Sequence, residues 1–178
     1  MNAVVEGNDV DAVLPQQQSA IARDLRLNLK RLLGEGALAP DESAAALLAV
    51  ATSVGDERLS AYARHQLEAL EFTPAQIEEA AESAAIMGML NVYYRFRHML
   101  GNDDEYSKAG LRMTALARPA LGKERFEMLA FAVSVLNGCA SCIRSHEQAL
   151  RAAGLSADKV HDLARLAAVV KGLNTLSR

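Results

Sequence analysis

The chain has no tryptophan, and its few Phe and Tyr residues bring the aromatic share to only 4%. Basic residues do not predominate either: 19 Lys and Arg stand against 22 Asp and Glu, a net charge of -3 with an isoelectric point near 5.8. Nothing resembles a basic stripe able to neutralise phosphates, which excludes nucleic acid as an expected partner. Proline occurs 4 times and glycine 11 times in a chain that is 51% hydrophobic and 23% charged, which excludes collagen-like repeats and global disorder. Long apolar runs are missing as well. The Ala-rich stretches are broken by Glu, Arg or Asn before reaching the roughly 18 residues of a membrane span, so no membrane segment is expected. The lead from Met1 to Gln18 carries Glu6, Asp9 and Asp11 and has neither a basic start nor a continuous apolar stretch. It does not read as a secretory signal, and a cytoplasmic location is the expectation. Two cysteines are too few for a disulfide framework, so their spacing has to be read as chemistry.

What is present is helix-forming. Ala and Leu together make up roughly a third of the 178 residues, enough chain for one domain and predicting an all-α fold. After a loose lead over residues 1–20, Leu25, Leu29 and Leu32 recur at helical spacing up to Gly34. Asp41 or Ser43 is placed to cap a second helix ending near Gly55, and a third spans Asp56 to Leu70. Thr73, Pro74 and Gln76 form a capping-box start for a long fourth helix to about Leu100. That helix has Ile77, Ala81, Ala84 and Gly88 on a small apolar face, and Glu78, Glu79 and Glu82 turned to water. A polar connector follows Gly101. Further helices are expected over Lys123 to Leu136, from Gly138 to about Ala153, and after Ser156 to about Leu176.

The chain also resembles itself. Leu48 to Val54 lines up with Leu129 to Val135, His65 with His146, and, after two extra residues in the second copy, Thr73 with Ser156 and Leu90-Asn91 with Leu173-Asn174. The expectation is a duplicated helical hairpin plus return helix in one domain over 1–178, with a first repeat at about 41–101 and a second at about 123–176. In this register Arg58 and Ala61 stand where the second copy has Cys139 and Cys142, so the chemistry belongs to the second copy.

That chemistry centres on Gly138-Cys139-Ala140-Ser141-Cys142 and the following His146. With Cys139 opening a helix, both thiols lie in its first turn, where unpaired backbone N–H groups and the positive end of the helix dipole favour thiolate. Side chains three apart on a helix sit about 5–6 Å from one another, within the reach of a disulfide. His146, four residues past Cys142, is on the same face and close enough to take up a thiol proton or pair with the thiolate. Two other readings stay open: inert core cysteines, or a zinc site in which Cys139, Cys142 and His146 are joined by His65 or Glu127.

Glu127, Cys139, Cys142 and His146 together read E-x11-C-x-x-C-x3-H. This resembles the signature of the alkyl hydroperoxide reductase D family, within the carboxymuconolactone decarboxylase-like superfamily. Ala84 to Met89, Asn91 to Arg95, Gly110 to Met113 and Phe131 to Ser134 also look like that family, and the likeness covers roughly residues 22–174. The resemblance implies an all-helical, duplicated protomer assembled as a homotrimer, with antioxidant activity towards organic hydroperoxides and no bound cofactor. It implies electrons from dihydrolipoamide, supplied by a lipoylated 2-oxo-acid dehydrogenase E2 component and lipoamide dehydrogenase, passed on to an AhpC-type peroxiredoxin. By the same match Cys142 takes the sulfenic-acid-forming position and His146 that of its base. Cys139 takes the position of the proton donor that forms the mixed disulfide with the peroxiredoxin, and Glu127 that of the carboxylate in the proton relay. The alternatives are a non-redox decarboxylase-like enzyme of the same superfamily and a non-catalytic helical binding module.

One position departs from the pattern. Related proteins carry a second histidine just before the latter cysteine, where this chain has Ser141, whose hydroxyl hydrogen-bonds but takes up no proton near neutral pH. Elsewhere His65 reads as structural, and His98 and His161 as surface residues. Met87, Met89 and Met99 read as core or interface filler, and Tyr93, Tyr94, Arg95 and Arg97 as packing or a subunit contact.

Overall fold

The computed structural model describes residues 9–101 and 105–177. Among the described residues, seven α-helices carry the fold: α1 (Ala20–Gly34), α2 (Pro40–Val54), α3 (Glu57–Ala69), α4 (Pro74–Leu100), α5 (Lys123–Asn137), α6 (Ala140–Ala152) and α7 (Ala157–Leu176). Short 3-10 turns at Val10–Val13 and Thr114–Ala117 complete the order, and the described residues contain no strand.

Caps set most of these boundaries. Thr73 accepts from the Gln76 N–H while Gln76 Oε1 accepts from the Thr73 N–H, the expected reciprocal start of α4. The start of α2 differs from expectation. Neither Asp41 nor Ser43 caps it; Pro40 is already the first helical residue, and Glu42 reaches back to the Ala39 N–H at 2.7 Å. The part of the lead that is described is not loose: Val10, Val13 and Leu14 are buried, and Gln16 and Arg26 hold carbonyls of the segment. Residues 1–8 lie outside the described residues.

Helices α2 and α5 pack against one another, and each also packs against α4 and α7, making a four-helix core with α3 and α6 on its flanks and α1 along α7. Both inner helices are apolar nearly all round: Ala44 to Ala51 on α2 and Met128 to Val133 on α5 are buried without a gap. Small residues let the backbones approach. Leu47, Leu48, Leu129, Leu163 and Leu166 fill the remaining space, each at most 1% exposed.

The duplication is plain in the element order, at a register the sequence comparison misplaces in its first half. Pro40 pairs with Lys123, Glu57 with Ala140 and Pro74 with Ala157 as helix starts, and Gly55 pairs with Gly138 as left-handed C-caps at φ 73° and 65°. One constant offset therefore relates the copies, with no two-residue insertion. Leu129 stands opposite Ala46 rather than Leu48, and Cys139 and Cys142 stand opposite Asp56 and Leu59 rather than Arg58 and Ala61. An Ala-rich helix buried on every side has no polar stripe to pin an alignment, so only its caps do.

The copies also hold each other. Glu79 of α4, expected to face water, accepts the Ala120 and Leu121 N–H groups at 2.9 and 2.7 Å in the segment entering α5. Asp162 of α7, its counterpart, accepts the Ala37 N–H at 2.7 Å in the segment entering α2. Burial pushes the Asp162 carboxyl up, but the Ala37 N–H and the Arg165 guanidinium outweigh it and hold the group below its ordinary range.

Candidate active site

At the junction of α5 and α6 the chain turns through Gly138 and begins a new helix with Cys139 as its N-cap. Cys139 has extended backbone, φ -89° and ψ 91°, and its N–H donates to the Ser134 carbonyl at 3.1 Å. No side-chain oxygen caps α6, which leaves the free N–H groups of its first turn around the two sulfurs. The first copy shows what this position suits: its N-cap, Asp56, is a buried carboxylate accepting the Leu59 N–H at 3.1 Å. A place that takes a carboxylate in one copy is suited to a thiolate in the other.

Cys139 and Cys142 are joined as a disulfide with Cα atoms 5.3 Å apart. Cys139 is fully covered and Cys142 is 6% exposed, so Cys142 is the sulfur with access. It opens on a cavity of about 370 Å³ whose apolar wall is Met87, Leu90 and Tyr94 of α4 with Met113 and Leu116 of the connector. Ser141, Ser145 and His146 supply its polar side. The Ser141 hydroxyl lies 3.6 Å from Cys139 Sγ, a weak hydrogen bond in place of the absent imidazole.

His146 and Glu127 meet across the helix pair, Nδ1 to Oε2 at 2.6 Å. Both are only partly exposed, at 20% and 25% of their side chains. The hydrogen bond from His146 holds the Glu127 carboxyl below its ordinary range, against burial, with Lys123 helping. With Nδ1–H donating to the carboxylate, Nε2 is the nitrogen that carries a lone pair. An imidazole held in this way can accept a proton at Nε2 while the carboxylate balances the charge that forms.

Four residues singled out in the sequence, Glu127, Cys139, Cys142 and His146, thus gather at one place. His65 does not join them; it is exposed on α3, on the surface rather than structural. His98 and His161 are exposed as read, Met87 is buried, and Met89 and Met99 are exposed. Among the described residues no group of three or more His, Cys, Asp or Glu side chains is placed to hold a metal ion. No helix among them is long and apolar enough to cross a membrane. The sequence reading missed Met113 and Leu116 as cavity residues. Their only signal was a pair of apolar side chains in a connector bounded by Gly110 and Pro119.

An all-helical duplicated fold with a Cys-x-x-Cys pair at a helix start defines a class, and the carboxymuconolactone decarboxylase family model matches residues 109–178. Relatives narrow it. The chain is 49% identical over 150 residues to the alkyl hydroperoxide reductase AhpD of Anaeromyxobacter dehalogenans strain 2CP-1, covering 84% of this chain and 80% of that protein. It is 38% identical over 149 residues to the AhpD of Gluconacetobacter diazotrophicus, covering 84% and 82%. It is 39% identical over 156 residues to that of Streptomyces avermitilis, covering 86% and 87%. The chain belongs to the AhpD family.

Proposed function

We propose that this protein is a thiol-disulfide oxidoreductase with alkyl hydroperoxide reductase activity, cycling Cys139 and Cys142 between dithiol and disulfide. The observation that carries the reading is the Cys139–Cys142 disulfide on an apolar cavity that His146, paired to Glu127, also lines. Relatives named alkyl hydroperoxide reductase AhpD support it.

In the forward step the Cys142 thiolate attacks the terminal oxygen of an organic hydroperoxide. The O–O bond breaks, Cys142 becomes a sulfenic acid, and the alkoxide leaves as an alcohol after taking a proton from the His146 imidazolium. Glu127 keeps the imidazole in the tautomer that makes this transfer at Nε2. Cys139 then attacks the sulfenic sulfur, expelling water and closing the disulfide. The wall of Met87, Leu90, Met113 and Leu116 favours the alkyl part of the substrate over a bare peroxide.

Dihydrolipoamide, from the lipoylated E2 component of a 2-oxo-acid dehydrogenase recharged by lipoamide dehydrogenase, restores the dithiol, and a cytoplasmic setting follows from that donor. The reduced pair passes its electrons to an AhpC-type peroxiredoxin through a mixed disulfide at Cys139. Because Cys139 is fully covered, that exchange needs the first turn of α6 to open. No bound cofactor takes part.

Assembly as a homotrimer belongs to the same reading. Met89, Val92, Phe96 and Met99, exposed by 36%, 61%, 43% and 76%, form an apolar stripe at alternating three- and four-residue spacing on α4. Burying it against other copies removes a surface that a lone protomer leaves in water.

The test treats the reduced protein with cumene hydroperoxide and maps a Cys139–Cys142 disulfide by mass spectrometry, then adds dihydrolipoamide. A closed pair that reopens is the expected result. Thiols that stay reduced, or lipoamide-dependent turnover that survives loss of both cysteines, would overturn the reading in favour of a decarboxylase-like or binding role.

A further inference from the structure

We infer that Asn91 and Arg95 of α4 are positioning residues for the turn bearing Cys139, setting how readily the Cys139–Cys142 pair closes. Asn91 is fully buried, and its Nδ2 donates to Ser134 Oγ at 2.9 Å while its Oδ1 accepts from Asn137 Nδ2 at 3.0 Å. Arg95 Nη1 donates to the Asn137 carbonyl at 2.7 Å. Ser134 and Asn137 are the residues on which the turn rests. The Ser134 carbonyl accepts the Cys139 N–H, and Asn137 is bonded directly to Gly138. Helix α4 therefore grips the last turn of α5 at two points, and through it the peptide that presents Cys139.

The duplication supplies an internal comparison. Asn174 of α7 is the counterpart of Asn91 and is equally withdrawn from solvent, at 5% exposure. The positions matching Ser134 and Asn137 are Ala51 and Val54, and Asn174 Oδ1 is left without a hydrogen-bond partner. One asparagine is common to both copies, but its side-chain bridge to Ser134 and Asn137 has no equivalent in the first copy, where Ala51 and Val54 carry no side-chain donor or acceptor. A purely architectural role for that bridge would call for it in both, because both hairpins turn through the same left-handed glycine, Gly55 or Gly138.

Closing a disulfide between neighbouring thiols depends on their effective concentration, which falls when the backbone between them is free to move. Releasing the Asn137 carbonyl loosens one of the two sulfurs and leaves the other, on the body of α6, in place. The dithiol loses two electrons and two protons to oxidised dithiothreitol, which becomes the reduced form, so the constant for that exchange reads the effect directly.

This inference rests on reading the pair as redox-active, and its test uses no peroxide turnover. Full-length protein is equilibrated anaerobically in graded mixtures of reduced and oxidised dithiothreitol, acid-quenched, alkylated and weighed. Arg95→Ala lowers the constant for closure about tenfold, about 30 mV for this two-electron couple. Arg95→Lys, which keeps a cationic donor, stays near the unmodified protein. Asn137→Ala reproduces the loss by an independent route should Arg95→Ala fail to fold. Asn174→Ala changes thermal stability and leaves the constant where it was. Folded Arg95→Ala and Asn137→Ala proteins with an unchanged constant, or an equal shift in Asn174→Ala, overturn the inference. A pair that never closes in the unmodified protein overturns the redox reading itself.

Discussion

Glu127 on α5 and His146 on α6 share one hydrogen bond, Nδ1 to Oε2 at 2.6 Å, and it joins the two helices between which the cysteine turn is strung. The contact orients the imidazole, and it also stabilises the fold in a pH-dependent way.

The Glu127 carboxyl is held below its ordinary range, so its contribution to stability is fully present above about pH 4.3 and is lost as the pH falls through the depressed value. Glu127→Gln is expected to lower stability by about 1–3 kcal/mol near neutrality. The difference should close progressively below pH 4. Thermal melts of both proteins from pH 7 to pH 3 check it, and parallel curves would exclude the linkage.

Removing the thiols separates their roles. Under the proposed cycle Cys142→Ser is expected to abolish hydroperoxide reduction, whereas Cys139→Ser should still consume one equivalent of hydroperoxide and stall at the Cys142 sulfenic acid. Trapping with dimedone followed by mass spectrometry distinguishes them. His146→Gln, with its acid-base group gone, should slow turnover by about a hundredfold or more.

The exposed stripe on α4 gives a prediction about assembly. Val92 and Phe96 are 61% and 43% exposed in the protomer, so replacing both with Glu leaves the core untouched. Sedimentation is expected to show the proposed trimer giving way to monomer, with the helical circular dichroism retained. Trimer persisting in the double variant would place the interface elsewhere.

The crossed tethers can be tested singly. Glu79→Ala strands the Ala120 and Leu121 N–H groups and should cost about 1–3 kcal/mol, read as a fall in Tm of about 2–4 °C per kcal/mol for a chain of this size. On the Asp162 side, a Cβ at Gly36 would sit 2.5 Å from the Leu32 carbonyl oxygen and 3.0 Å from Asp162 Oδ2, so Gly36→Ala should also destabilise. Gly34→Ala, with nothing within 4 Å, should not.

Caps and periodicity made most of this fold legible in the sequence. Thr73 with Gln76, Ser156 before α7, and the glycines at 55, 101 and 138 bound helices much as expected. The site was legible because its chemistry is local: three of its residues lie within one helix and its N-cap, and only Glu127 comes from the neighbouring α5. Long-range relations were hidden. Glu79 looked like any surface carboxylate because its partners are backbone N–H groups, which carry no side-chain signature. The register of the first copy slipped by two residues because Ala and Leu recur too evenly in α2 to fix it. Asn91 could not be told from a surface amide until its burial and its partners on α5 were seen.

The reciprocity of the Glu79 and Asp162 tethers reaches beyond stability. Helix α4 secures the entrance to the second copy and α7 the entrance to the first, so each half of the chain is finished by the other's return helix. The segment leading into α1 also lies against the last turn of α7, with Gln17 Nε2 donating to the Leu176 carbonyl at 2.9 Å. Among the described residues α1 and α7 are thereby held side by side at one end of the core. A cut in the connector ahead of Met113 is therefore expected to leave both tethers, the packed helices and the cysteine turn in place.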